Sequence, residues 1–250
     1  MINMTSHIST DITQGVMQIS INRPEKKNAL SQQMYRGLTL ALQQAQQDDK
    51  VRVVLLIGTD SCFSAGNDLQ DFLGAGELNA QHPTVQFLYE LAQFTKPLVA
   101  AVAGLAIGIG TTALLHCDLV YAADNARFQL PFTQLGLCPE AASSVLLPNV
   151  AGYQRAAQYL LLGEAFDAAA ALSMGMVNQV VSPAELMALA QQKAQQLAAL
   201  PADAVQCSKA LLKRSQLAHT KETIAAELVQ FQRLLHSSES QARIAAFFQR

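Results

Sequence analysis

Charge is scarce in this chain. Of its 250 residues 14% are Asp, Glu, Lys or Arg, 50% are hydrophobic, and the formal net charge is -2. Without a basic excess there is no electrostatic footprint for nucleic acid or an anionic membrane, so neither is expected as a partner. Long apolar runs are missing too. The richest stretch, "PLVAAVAGLAIGIG" (97–110), is too short and too interrupted by glycine to span a bilayer. The opening "MINMTSHISTD" has no basic n-region or apolar h-region, and the closing "FFQR" does not read as a peroxisomal address. The four cysteines, Cys62, Cys117, Cys138 and Cys207, form no CxxC. They read as reduced thiols that pack as small hydrophobes in a reducing compartment. There is no GxSxG elbow and no metal-ligand spacing. The expectation is a cytoplasmic protein with no metal site.

What is present is a long alternation of strand and helix signals. "VMQISINRP" alternates as a strand and stops at Pro24. Ser31 then has the character of an N-cap for a helix through about Gln47, with Met34, Leu38, Leu42 and Ala45 at helical spacing. "VRVVLLIG" is continuously apolar, as a strand covered on both faces must be. A helix from about Thr84 to Phe94 leads to the strand "PLVAAVAG", and a short helix near 110–116 precedes the strand "DLVYAAD". A helix-rich stretch from Gly152 to Gly175 runs into the strand "VNQVV". From Pro183 onward the pattern is helical only, with Ile224, Leu228, Phe231 and Leu235 on one stripe. The class is α/β, with the helical tail packing on the core, closing as a lid or meeting another subunit.

Two loops at strand ends attract attention. "CFSAGNDLQDF" (62–72) contains no acid, base or good nucleophile at Ser64, Ala65, Gly66 or Asn67. "AGLAIGIGTTALLHCD" (103–118) opens a helix through Gly104, Gly108 and Gly110. A Gly-rich turn at a helix start presents unpaired N–H donors. The run from Gly108 to Ala113 fits GxGxxA, but the next strand begins by Leu119 and leaves barely two turns for a crossover helix, which argues against a dinucleotide site. Each loop can instead lend one backbone N–H to a common point, and two such donors stabilise negative charge on a carbonyl oxygen.

Four segments, "RPEKKNAL", "FSAGNDL", "AGLAIGIGTTALLHCDLVYAADNARF" and "PFTQLGLCPEAASSVLLPNVAG", resemble the crotonase (enoyl-CoA hydratase/isomerase) superfamily in order and spacing, over about residues 15–182. The resemblance implies a crotonase-like spiral of repeated ββα units over 1–200 and a helical C-terminal region, 201–250, for trimer contacts. It implies an acyl-CoA substrate, no separate cofactor, and a homotrimer or dimer of trimers. By the same resemblance the N–H groups of Asn67 and Ile109 form the oxyanion hole. Ser64, Ala65, Gly66, Asn67 and Asp68, with Lys26 and Gly108, line the substrate site. The loop is bland because a thioester must approach the main chain closely.

The hydratase pattern needs two carboxylates. At its two positions this chain has Thr112 and Phe132. Glu140, in "LGLCPEAASS", instead matches the single catalytic Glu of the Δ3,Δ2-enoyl-CoA isomerase branch, which the chain resembles most. One carboxylate suits transfer of an α proton to the γ carbon. Leu135, Leu137, Phe132 and Val145 would raise its pKa, whereas a helix start near Pro139 would lower it, so the residues alone predict no net direction. By position alone Glu140 reads first as a solvated carboxylate in a first helical turn, and the resemblance is what turns the reading to a base. Other single-carboxylate reactions of the superfamily, such as isomerisation of a ring-containing acyl-CoA or residual hydration, stay open, as does a non-catalytic acyl-CoA-binding module. Replacing Thr112 with Ala is expected to spare isomerisation. Asp68 is expected to cap the short helix after its loop. Lys26 and Lys27 read either as partners for the CoA phosphates or as solvated. His116, Cys117 and Asp118 are consecutive and so point apart, which excludes a joint nucleophilic or metal role.

Overall fold

A hairpin begins the larger sheet. In the computed structural model, which describes residues 2–3, 7–74 and 76–247, β1 (Ile2–Asn3) pairs antiparallel with β2 (Ile8–Thr13), and β2 with β3 (Val16–Ile21). The β2–β3 turn uses Gln14 and Gly15, both at positive φ, as a tight two-residue hairpin requires. From β3 onward the chain repeats one move: a strand joins the larger sheet in parallel, a short strand joins a second sheet, and a helix follows. The repeats are β4 (Val53–Ile57) with β5 (Cys62–Ser64), β6 (Leu98–Val102) with β7 (Leu105–Ile107), and β8 (Leu119–Ala123) with β9 (Arg127–Gln129). The short strands β10 (Ala165–Asp167) and β11 (Gln179–Val181) close the small and large sheets. The larger sheet runs β1-β2-β3-β4-β6-β8-β11 and the smaller β10-β9-β7-β5. This is the ββα spiral that the family resemblance implied.

The helices are α1 (Gln32–Gln47), α2 (Leu69–Leu73), α3 (Pro83–Gln93), α4 (Ile109–Thr112), α5 (Ser143–Ala151), α6 (Tyr153–Leu162), α7 (Ala168–Ser173), α8 (Pro183–Ala199), α9 (Ala202–Lys213), α10 (Leu217–Leu235) and α11 (Ser238–Phe247). Ser31 caps α1 as expected, its side chain accepting from the Met34 N–H. The four stripe residues of that helix are buried.

Strand β4 is buried on both faces, and the two faces meet different partners. Val54 and Leu56 belong to the main core. Val53 and Leu55 pack with Val99, Ala101, Tyr121 and Ala123 beneath α8, which contributes Leu186, Ala190, Ala194 and Ala198 at four-residue spacing. Three alanines on that stripe let the helix backbone lie close to the sheet.

Two details differ from the sequence expectation. The strands β5, β7, β9 and β10 are three residues each, too short for an alternating pattern to declare itself. The helix-rich stretch after Gly152 is also broken. Gly163, in a left-handed conformation at φ 66, ends α6 and lets β10 pair with β9.

Candidate active site

The loops that end β5 and β7 pack backbone against backbone, and glycine permits it. A Cβ on Gly66 would meet the Ile107 carbonyl oxygen at 2.9 Å, and one on Gly110 would meet the Ser64 oxygen at 2.7 Å. Leu30 N–H donates to the Gly66 carbonyl and Asp68 N–H to the Leu30 carbonyl. In such a parallel bridge the Asn67 N–H between them faces away from Leu30. Ile109 opens α4, where the first N–H groups have no carbonyl a turn earlier. Among the described residues neither of these two N–H groups has an intramolecular acceptor. Gly108, just before Ile109, has φ 54 and ψ -120, and a Cβ there would meet nothing within 4 Å. Its missing side chain leaves open space in the groove.

That groove has a volume of about 940 Å³. Lys26, Lys27, Ala65, Gly66, Asn67, Asp68 and Gly108 line one part of it, and Phe132, Leu135, Leu137, Phe231, Leu235 and Ile244 an apolar part. Most of the expected substrate-site residues therefore lie together. Ser64 does not line it; it is buried, donates to the Asn28 carbonyl and accepts from the Gly66 N–H, and so braces the loop from behind. Asp68 faces the groove, but its carboxylate is held by Arg23 at 2.8 Å and accepts weakly from the Asp71 N–H at the start of α2, as a cap would.

Glu140 is not among the residues that line the groove and is 4% exposed. It is not a solvated helix-start residue: α5 begins at Ser143, and the Glu140 carboxylate is dry. Burial pushes its pKa from 4.5 to about 8, against the pull of a hydrogen bond from Thr112 and with a smaller push from Glu227. The sequence left the net direction open; desolvation exceeds the other influences, and α5 starts about four residues later than the expected start near Pro139.

Thr112 hydroxyl donates to Glu140 Oε1 at 2.6 Å. Thr112 ends α4, the helix opened by Ile109, so one turn of helix carries both a spare N–H and the partner of the carboxylate. On the other loop, the buried Tyr35 hydroxyl of α1 donates to Asn67 Oδ1. Tyr35 is raised well above 10, first by burial and then by the charge of Glu140, so it stays a neutral donor. Sequence reading missed Tyr35, because it sits beside Met34 on an ordinary buried stripe. It gave Thr112 no part to play, because Thr112 stands only as an absent carboxylate until its neighbour is known.

His116, Cys117 and Asp118 do diverge. His116 Nε2–H donates to the Ala141 carbonyl at 2.8 Å, and burial holds its pKa down near 4, so it is neutral. Cys117 turns back to the Ala113 carbonyl, and Asp118 pairs with Lys209 at 2.7 Å. Among the described residues no group of three or more His, Cys, Asp or Glu is arranged to hold a metal ion.

A spiral of ββα units, with a dry carboxylate and two spare N–H groups gathered at the ends of its short strands, is a crotonase-type α/β protein. The chain belongs to the enoyl-CoA hydratase/isomerase family, whose model matches residues 11–250. It is 37% identical to enoyl-CoA delta isomerase 2 of Rattus norvegicus over 81% of this chain and 53% of that protein, and so spans about half the length of that relative. It is 38% identical to 1,2-epoxyphenylacetyl-CoA isomerase of Escherichia coli (strain K12), over 79% of this chain and 78% of that protein. An enoyl-CoA hydratase/isomerase crystal structure from Pseudoalteromonas atlantica T6c superposes with a TM-score of 0.94 at 40% identity, covering 98% of this chain and 97% of that one.

Proposed function

We propose that this protein is an isomerase of unsaturated acyl-CoA thioesters that moves a carbon–carbon double bond from position 3 to position 2. The observation that carries the reading is the dry carboxylate of Glu140, which among the described residues has no second carboxylate in hydrogen-bond contact with it. Glu140 is raised to about 8, and the group beside it is the hydroxyl of Thr112 rather than a second acid. Hydration uses two carboxylates to manage a water, whereas a 1,3-proton shift needs one group that takes a proton and returns it. The thioester oxygen accepts from the N–H groups of Asn67 and Ile109, each worth roughly 3–4 kcal/mol to the dienolate. Glu140 removes the α proton, the electron pair delocalises over the oxygen and the former double bond, and the proton is returned at the γ carbon. Lys26 and Lys27 meet the CoA phosphates, and the apolar part of the groove takes the acyl chain.

The test is spectroscopic. Purified protein given a 3-enoyl-CoA produces rising conjugated-enoyl absorbance, and a flat trace rejects the reading, leaving a binding module or the second reading below. The name of the Escherichia coli relative supports a second reading, isomerisation of a ring-containing acyl-CoA, which a panel of CoA thioesters separates from the first.

A further inference from the structure

Directly after Glu140 the backbone does something costly. Ala141 and Ala142 both take the left-handed conformation, at φ 58 and 57. Two consecutive non-glycine residues in that region persist only where their surroundings hold them. Locally the turn is closed only by the Ser143 N–H donating to the Glu140 carbonyl at 3.0 Å, for Ala142, the N-cap of α5, has no side chain able to cap it and the first turn of α5 has no acid. A further hold comes from α10. Glu227 Oε2 accepts from the Ala142 N–H at 2.6 Å, and Oε1 accepts from both the N–H and the hydroxyl of Ser144, the former at 3.1 Å. His116 fixes the remaining group of the turn, the Ala141 carbonyl. Cys138, two residues before the base, donates through sulfur to the Glu227 carbonyl at 3.8 Å. The segment carrying Glu140 is thus attached to α10 on both sides of the base.

We infer that Glu227 is a positioning residue for Glu140: its buried carboxylate fixes the left-handed turn that aims the base and ties that turn to the helix lining the acyl groove. This rests on the reading of Glu140 as the base. All three contacts to its carboxylate are donors, so an acceptor-only group is what the site requires. Glu227 does not itself line the groove. Phe231 and Leu235, one and two turns further along the same helix face, do. A ligand that packs on those two side chains therefore bears on the same rigid element that holds the base.

The groups facing Glu140 are Thr112 from α4, Tyr35 from α1 and Glu227 from α10, with neutral His116 on the adjoining carbonyl. The experiment compares wild-type protein with Glu227→Ala and Glu227→Gln, and uses Glu222→Gln on the same helix as a control. Three quantities are read: kcat and KM with a 3-enoyl-CoA, the Kd of saturated octanoyl-CoA, and the titration midpoint of Glu140 by carboxyl-carbon NMR, assigned by its loss in Glu140→Gln.

In Glu227→Ala kcat falls by about 10- to 100-fold, the scale expected when a reacting group is misplaced by ångströms or less, while the Kd of octanoyl-CoA stays within about threefold. Glu227→Gln keeps one acceptor and recovers part of kcat. In both variants the Glu140 midpoint drops, since the neighbouring charge is gone. A kcat within about twofold of wild type in Glu227→Ala, with the Glu140 midpoint unmoved, overturns the inference. If Glu227→Ala fails to fold, Glu227→Gln decides through kcat and the midpoint. If wild-type protein does not isomerise 3-enoyl-CoA, the isomerase reading fails, and the Glu140 midpoint alone still decides whether Glu227 governs that carboxyl.

Discussion

A carboxyl group with a pKa near 8 is mostly protonated at neutral pH, and a base must be ionised. The kcat/KM of the proposed isomerisation therefore rises with pH and levels off above about 8. Thr112 tunes that limb. Its hydrogen bond favours the ionised form of Glu140, so Thr112→Val, which keeps the shape and removes the hydroxyl, moves the limb to higher pH. This replaces the expectation that position 112 is idle: at pH 7 the variant loses activity, and above the new limb it recovers most of it. A pH–rate profile with an unshifted midpoint contradicts this account.

Glu140→Gln makes the complementary case at the same scale. Turnover falls by about two to four orders of magnitude, the range for losing a positioned base. Octanoyl-CoA binding changes little. The folded state holds the Glu140 proton at pH values where the unfolded chain has lost it. The stability this group contributes is thus present below about 4.5 and is lost as pH rises to about 8. The Gln variant escapes that loss, so its Tm exceeds the wild-type value by a margin that grows between pH 5 and pH 8.5. Calorimetry across that range is the check, and a constant margin counts against the burial argument.

At the scale of the element, the site depends on two tight loops whose backbones must touch. Gly108 is the sharpest example, because its φ of 54 and ψ of -120 suit only glycine while its missing Cβ leaves open space in the groove. Gly108→Ala is expected to destabilise the fold by about 1–3 kcal/mol and also to obstruct the thioester, raising KM and lowering kcat. Gly152, between α5 and α6 at φ 79 and ψ 156, makes a control of similar strain outside the groove. Gly152→Ala should melt lower yet turn over normally. Equal kinetic losses in the two variants would indicate general loosening rather than obstruction.

The C-terminal helices act at the scale of the whole molecule. Lys209 of α9 reaches the Lys96 carbonyl and Asp118, and α10 reaches the turn after Glu140, so the helical region is tied into the spiral rather than appended to it. Several large apolar side chains remain exposed on this chain, among them Tyr153, Leu161 and Leu162 of α6 and Leu211 and Leu212 of α9. Such surface calls for cover, and we propose that other copies of this chain supply it in a trimer or pair of trimers. Light scattering at micromolar concentration should give the mass of three or six chains; a monomer mass defeats the proposal.

Much of the architecture was legible in the residues because burial imposes periodicity. The two-faced apolar run of β4, the capped stripe of α1 and the all-helical tail each follow from where apolar side chains recur. The loop motifs placed Asn67, Gly108, Ile109 and Glu140 in one reading before any coordinates. Other features depend on residues far apart in the chain. Three-residue strands have no period of their own, and pair only because their partners are already there. Nothing local to Glu140 says whether it is wet or dry; tertiary packing buries it, and Thr112, 28 residues away, and Glu227, 87 residues away, then pull its pKa in opposite directions. The sequence by itself determined which side chains prefer burial and which loops are free of obstructing groups. Only the tertiary structure decided which polar groups share the dry space, because desolvation and hydrogen bonding act through distances in space and not along the chain.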